Sequence, residues 1–402
     1  MNTQIPVLLL TGYLGSGKTT LLNRILNNRR GMRFAVIVND IGEINIDAEL
    51  VRKGGIVGGA DNQGDLVALQ NGCICCTLQT DLIDQLTQLA SDGRFDYIVL
   101  EASGICDPAP IAQTICSIAS MLPSGYTGAV PVLDCIVTVV DALRMKSEFG
   151  CGEKLAATKP GDEDIESLVI QQIEFCNVIL LNKISEVTPD EGARISAIIR
   201  ALQPQARIIE CDYADIDLDL IVGTGMFDFE DVATSAAWIR HIEHRGEHTD
   251  EHHHHHHCHG GSQCTCGHHH HHHHEGEAGH YGIDTMVYYR RAPFDLSRFD
   301  RFIATQWPEN IIRAKGILYF AHNRDMSYLF EQAGVQKKLT EAGLWYATAP
   351  EHELQRMMAA DATLRMDWDE TYGDRMIKLV FIGRDLDRDA LAKSLDNCLS
   401  KF

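Results

Sequence analysis

A glycine-rich turn near the start of the chain constrains everything after it. Ile5 to Thr11 read IPVLLLT, an apolar run of strand length. GYLGSGKTT follows from Gly12 to Thr20, and LLNRILNN, Leu21 to Asn28, has the apolar spacing of a helix. Strand, glycine-rich loop and helix in that order are the context a phosphate-binding loop requires. Gly12, Gly15 and Gly17 let the backbone turn tightly and bring its N–H groups against a polyphosphate, and the helix N-terminus points at the same oxygens. Lys18 is expected on the β- and γ-phosphates and the Thr19 hydroxyl on Mg²⁺, with Ser16 and Thr20 completing the nucleotide-binding set.

The pattern to about Gly225 is α/β. Apolar runs at Phe34–Val38, Tyr97–Leu100, Cys135–Val140, Asn177–Leu181 and Ala206–Ile209 alternate with helical stretches such as Asp81–Ala90 and Ala193–Leu202. Strands so continuously apolar must be covered on both faces, which predicts a mostly parallel, doubly wound sheet with its ligand beyond the carboxyl ends of the strands. From Ile283 the runs at Met286–Arg290, Ile317–Ala321 and Met376–Gly383 predict a smaller α+β domain with one mostly antiparallel sheet and two or three helices. Between the two, eighteen of the twenty histidines lie from His241 to His280, in a stretch with almost no apolar residues. Such a stretch cannot build a core. The expected division is 1–225, a His/Cys-rich connector over 226–282, and 283–402.

With 402 residues the chain has room for two cores. A net charge of −21 argues against nucleic acid as a partner. No signal peptide or bilayer-length apolar run is evident, so a cytoplasmic protein without membrane attachment is expected. Of thirteen cysteines, the clustered ones point to metal or redox chemistry, while Cys106, Cys116, Cys135, Cys176, Cys211 and Cys398 read as small core residues.

Further motifs fall at strand ends. YIVLEASG, Tyr97 to Gly104, offers Glu101 as a carboxylate that holds Mg²⁺ through water and the Gly104 N–H for the γ-phosphate. NDIGEINID, Asn39 to Asp47, lies where a switch segment belongs, with Asp40 as a Mg²⁺ or water-positioning carboxylate. VILLNKIS, Val178 to Ser185, matches the Asn-Lys-x-Asp guanine signature at Asn182 and Lys183 but carries Ser185 where the acidic acceptor belongs. GTP is still preferred over ATP, with a softened selectivity unless Glu186 or a water supplies the acceptor. NGCICC, Asn71 to Cys76, puts three thiols in four residues, a soft site for Zn²⁺ or a similar ion with an open position suited to transfer. The histidine blocks within 252–274, with Cys258, Cys264 and Cys266, can take up several ions of Zn²⁺, Ni²⁺, Co²⁺ or Cu²⁺.

GYLGSGKTT, NDIGEINID, NGCICC, YIVLEASG and the NK of NKIS, in this order, resemble the CobW-like P-loop GTPases. RAKGILYFA and GDRMIKLVFIG resemble the CobW C-terminal domain. The resemblance implies a GTPase that delivers a metal, often zinc, to client metalloproteins. It also implies Cys73, Cys75, Cys76 and Glu43 on the carried ion, Lys18 and Thr19 on nucleotide and Mg²⁺, and Glu101 in the second wall of the pocket. Hydrolysis is expected to be slow, because no arginine finger is obvious. Metal storage through the histidine tract is the alternative, and a small-molecule kinase a third reading. Oligomeric state is left open, with a homo-oligomer among the alternatives.

Overall fold

The structure, a computed structural model, describes residues 3–27, 31–38, 65–68, 79–123, 125–147, 149–150, 165–229, 232, 282–334, 336–360, 364–365 and 368–400. Its strands up to Cys211 are β1 (Gln4–Thr11), β2 (Phe34–Val38), β3 (Asp65–Ala68), β4 (Tyr97–Glu101), β5 (Val130–Asp141), β6 (Val178–Asn182) and β7 (Arg207–Cys211). They form one sheet in the order β3-β2-β4-β1-β5-β6-β7, every pair parallel. The expected doubly wound architecture is what is found, and its reason is visible in β1. Val7 and Leu9 pack with one cluster and Leu8 and Leu10 with the other, so neither face meets water.

Helix α1 (Lys18–Leu26) supplies Leu21, Leu22 and Ile25 to the second face. Helices α2 (Gln79–Ser91), α3 (Pro108–Met121), α4 (Ala142–Ser147), α5 (Ile165–Glu174) and α6 (Pro189–Leu202) all contribute to the first. Two start on explicit signals. Asp107 caps α3 by accepting the Ala109 N–H at 2.9 Å ahead of Pro108, and Thr188 with Glu191 forms a reciprocal capping box on α6.

The second sheet contains β8 (Ile283–Arg290), β9 (Ile311–Phe320), β10 (Asn323–Ala333), β11 (Gln336–Leu344) and β12 (Ile377–Arg384), in the order β11-β10-β9-β12-β8. All its pairs are antiparallel. Helices α7 (Leu296–Thr305) and α9 (Arg388–Asp396) cover an aromatic core, and α8 (Glu351–Ala360) lies between β11 and β12 in the chain. Ile283, Ile312, Ala333 and Ile382 of this sheet join the aliphatic cluster of the first domain. Beside that apolar contact Arg313 forks onto Glu174 at the end of α5, at 2.7 and 3.0 Å, with both side chains buried. No helix among the described residues is long and apolar enough to cross a membrane.

Candidate nucleotide site

The turn between β1 and α1 has the backbone its glycines predict. Gly12, Gly15 and Gly17 sit at φ 134°, 75° and 115°, and Gly17 is the N-cap of a helix that begins at Lys18, three residues earlier than the apolar spacing alone indicates. A side chain on Gly12 would run into the Val139 carbonyl, and one on Gly17 into the Asn182 amide. Both positions combine left-handed backbone with close approach, so only glycine fits.

Five consecutive carbonyls of this turn are held by side chains. Lys18 Nζ donates to the carbonyls of Gly12 at 2.8 Å and Tyr13 at 3.3 Å. Arg144 Nη1 donates to Leu14 O at 2.9 Å, Lys183 Nζ to Gly15 O at 3.1 Å, and Asn182 Nδ2 to Ser16 O at 2.8 Å. Fixing the carbonyls leaves the amide edge of the turn as what it presents to an anion. Thr19 is half-buried and Thr20 exposed on the first turn of α1, and the Ser16 hydroxyl is buried with no partner among the described residues.

A second wall comes from the end of β4. Glu101 is its last residue, 1 % exposed, in register with Leu10 of β1 and Val38 of β2. The chain then passes so close to the turn that a Cβ on Gly104 would lie 2.8 Å from the Leu14 backbone nitrogen and side chain. Gln172 of α5 steadies this passage by donating to Gly104 O and Cys106 O, both at 3.1 Å.

Asn182 and Lys183 form a third group. Besides its bond to Ser16, Asn182 accepts the Ala214 N–H through Oδ1 at 3.0 Å, so its amide ties the phosphate turn to the segment beyond β7. Lys183, left-handed at φ 62°, pairs with Asp141 at 2.5 Å, and Asp141 also accepts the Arg144 N–H at 3.0 Å. Ser185 is not alone: both its N–H and its hydroxyl donate to Asp212 Oδ1, at 3.1 and 2.9 Å. Asp141, Arg144, Gln172 and Asp212 escaped the sequence reading. A signal for two of them is present, since Asp141 closes an apolar strand as Glu101 does and Asp212 lies shortly after the run Ala206–Ile209.

Asp40, Glu43, Cys73, Cys75, Cys76 and the histidine stretch 252–274 lie outside the described residues. Among the described residues no three His, Cys, Asp or Glu side chains gather as an ion site. Of the six isolated cysteines, five are buried as expected, and Cys116 instead faces solvent on α3. Burial pushes Cys176 up to about 12 and, with the Asp212 charge second, Cys211 up to about 11, so both stay neutral thiols.

Residues 6–210 match the CobW/HypB/UreG nucleotide-binding domain, and residues 283–399 the cobalamin synthesis protein CobW C-terminal domain. The chain is 34 % identical over 414 residues to the zinc-regulated GTPase metalloprotein activator 1 of Dictyostelium discoideum, covering 98 % of this chain and 80 % of that one. It is 32 % identical over 231 residues to the zinc chaperone CobW of Pseudomonas aeruginosa, covering 55 % and 60 % of the two chains. With the zinc chaperone YjiA of Escherichia coli it shares 32 % identity over 238 residues, covering 58 % and 65 %.

Proposed function

Since the chain belongs to the CobW/HypB/UreG family of nucleotide-binding proteins, with a CobW C-terminal domain, it is a GTPase; we propose that its GTP cycle governs the hold on a metal ion, zinc first, bound at Cys73, Cys75 and Cys76 and handed to client metalloproteins. The observation that carries this reading is the phosphate turn, with its carbonyls fixed by four side chains, in a chain that also has NGCICC about two dozen residues after the switch-like NDIGEINID. The names of the zinc-handling relatives support zinc over cobalt or nickel.

In this reading Lys18 leaves the Gly12 and Tyr13 carbonyls for the β- and γ-phosphates, and the Gly104 N–H meets the γ-phosphate across the turn. The Thr19 hydroxyl on α1 and the Glu101 carboxylate at the end of β4, the strand paired with β1, are hard oxygen donors of the kind that suits Mg²⁺. Bound there, that ion would neutralise charge on the phosphate oxygens. Asp40 orients the attacking water. Glu43 joins the thiolates on the carried ion. Metal analysis tests the proposal: the wild-type chain without its histidine blocks (252–274 deleted) should retain one tightly held zinc and hydrolyse GTP, and adding Cys73→Ala, Cys75→Ala and Cys76→Ala should remove the zinc while hydrolysis survives. Zinc retained by that variant refutes the thiolate site. The density of histidine in 252–274 favours buffering as a second reading, which predicts instead that the deletion alone strips all tight metal.

A further inference from the structure

A guanine base exposes an N1–H and an exocyclic amino group side by side, and a carboxylate is the side chain that can accept from both. The NKIS segment offers only the Ser185 hydroxyl where that carboxylate is needed. We infer that Asp212, on the loop after β7, supplies it, so that the guanine-reading carboxylate is carried by a different strand from the one that carries Asn182 and Lys183. The inference rests on the GTPase reading and names the residue that selects its substrate.

Four observations place Asp212 for this task. Strands β6 and β7 are parallel neighbours with Asn182 opposite Cys211, so the residues that follow them emerge side by side at the same end of the sheet as the phosphate turn. Asp212 Oδ1 accepts from the N–H and hydroxyl of Ser185, which holds the carboxylate directly beside the position where the motif lacks one. Its Oδ2 makes no hydrogen bond among the described residues, and the side chain is only half-buried.

The loop behind it is held in a set conformation. Tyr213 and Ala214 lie at φ 52° and 53°, consecutive left-handed residues that are not glycine, a strain that persists only where surroundings impose it. Those surroundings are the Asn182 amide on the Ala214 N–H, the Asp212 carbonyl on the Asp215 N–H at 2.9 Å, and Arg24 of α1, which donates to Tyr213 O at 2.8 Å and to Asp215 at 2.6 Å. The loop is thus bolted both to the phosphate turn and to the helix that follows it, which preorganises the carboxylate relative to the nucleotide. Glu186, the other carboxylate nearby, sits exposed in the short turn Ile184–Glu186, and no hydrogen bond from a described residue orients its side chain.

The test uses the full chain and competition of unlabelled GDP, XDP and ADP against a fluorescent GDP analogue. XDP carries a carbonyl where GDP has its amino group, so an amide in place of the carboxylate reverses the match. Asp212→Asn should lose about 10²-fold or more in GDP affinity and gain about tenfold or more for XDP, with ADP unchanged. GDP affinity within about threefold of wild type, or an equal loss for all three nucleotides, overturns the inference. A loss confined to Glu186→Gln does the same and moves the role to that residue. If Asp212→Asn fails to fold, Asp212→Ser with Ser185 left in place decides: loss of the preference for GDP over ADP supports the inference and a preference kept at the wild-type level overturns it. Wild-type chain that binds no guanine nucleotide would overturn the GTPase reading itself, a result distinct from each of these.

Discussion

In the seven-stranded sheet the buried side chains are overwhelmingly Ile, Leu and Val, whereas the five-stranded sheet is packed with Tyr288, Phe294, Phe299, Phe320, Phe330 and Phe381. Helices sandwich the first sheet on both faces, and small branched residues fill two thin layers at high density. The second sheet carries its own helices on one face, with Phe294 and Phe299 stacked at 4.7 Å between ring centres, and turns residues of its other face to the first domain. Polar side chains are distributed accordingly. In the first domain many of them converge at the carboxyl ends of the central strands, around the phosphate turn. In the second they serve the join, through Arg313, Lys315 and Glu331. The contrast teaches that the chemistry belongs to the first sheet and that the second is fastened to it by a buried ion pair.

Seven variants break or sharpen this contrast. The largest effect is expected from Arg313→Ala, which leaves the buried Glu174 carboxylate without its guanidinium and should cost about 3–5 kcal/mol in denaturant unfolding. Replacing both partners by methionine should cost much less. Next, Gly17→Ala should lower nucleotide affinity by about 10²-fold, roughly 2.7 kcal/mol, by forcing the Asn182 amide away from the phosphate turn. Gly316→Ala, at φ 157° against the Lys378 carbonyl, should instead cost about 1–3 kcal/mol of stability while nucleotide titration stays within about threefold.

A smaller pair compares two tyrosines. The buried Tyr97 hydroxyl donates to Asp134, a carboxylate 5 % exposed that also accepts the Gly223 and Gly225 N–H groups at 2.7 and 2.5 Å. Burial first, then that bond, raises the Tyr97 phenol above its ordinary range. Tyr97→Phe should cost about 1–2 kcal/mol in thermal unfolding. Tyr288→Phe should cost less, since Asp396 keeps its fork from Arg290.

The smallest effect is electrostatic. The Arg33 side-chain hydrogen bond, ahead of the backbone one, holds the Asp96 carboxyl below its usual range. A depressed carboxyl stabilises the fold above its unfolded pKa and ceases to do so as pH falls through the folded one. Asp96→Asn should therefore flatten the stability loss below about pH 4 and change stability at pH 7 by no more than about 0.5–1 kcal/mol, the pair being exposed.

What was legible in the sequence follows the same division. The phosphate turn and the central strands could be read directly, because three glycines, a lysine and uninterrupted apolar runs admit few conformations. Helix α3 was missed although Asp107-Pro108 announces its start, and the β10–β11 hairpin because NRDMSYLFEQA mixes charges into a strand whose partners are supplied by the fold. The bond between Ser185 and Asp212, 27 positions apart, exists only once β6 and β7 lie side by side. Arg313 and Glu174 are 139 positions apart, and neither carries a local signal that it will be buried.

The central claim is that a triphosphate on the Gly12–Thr20 turn alters the grip of Cys73, Cys75 and Cys76 on an ion. It is tested most directly by titrating Zn²⁺ into the chain with 252–274 deleted, once with a non-hydrolysable GTP analogue and once with GDP. The account predicts affinities that differ by about tenfold or more between the two states. Equal affinities would contradict it, because a nucleotide that binds both metal states alike shifts neither.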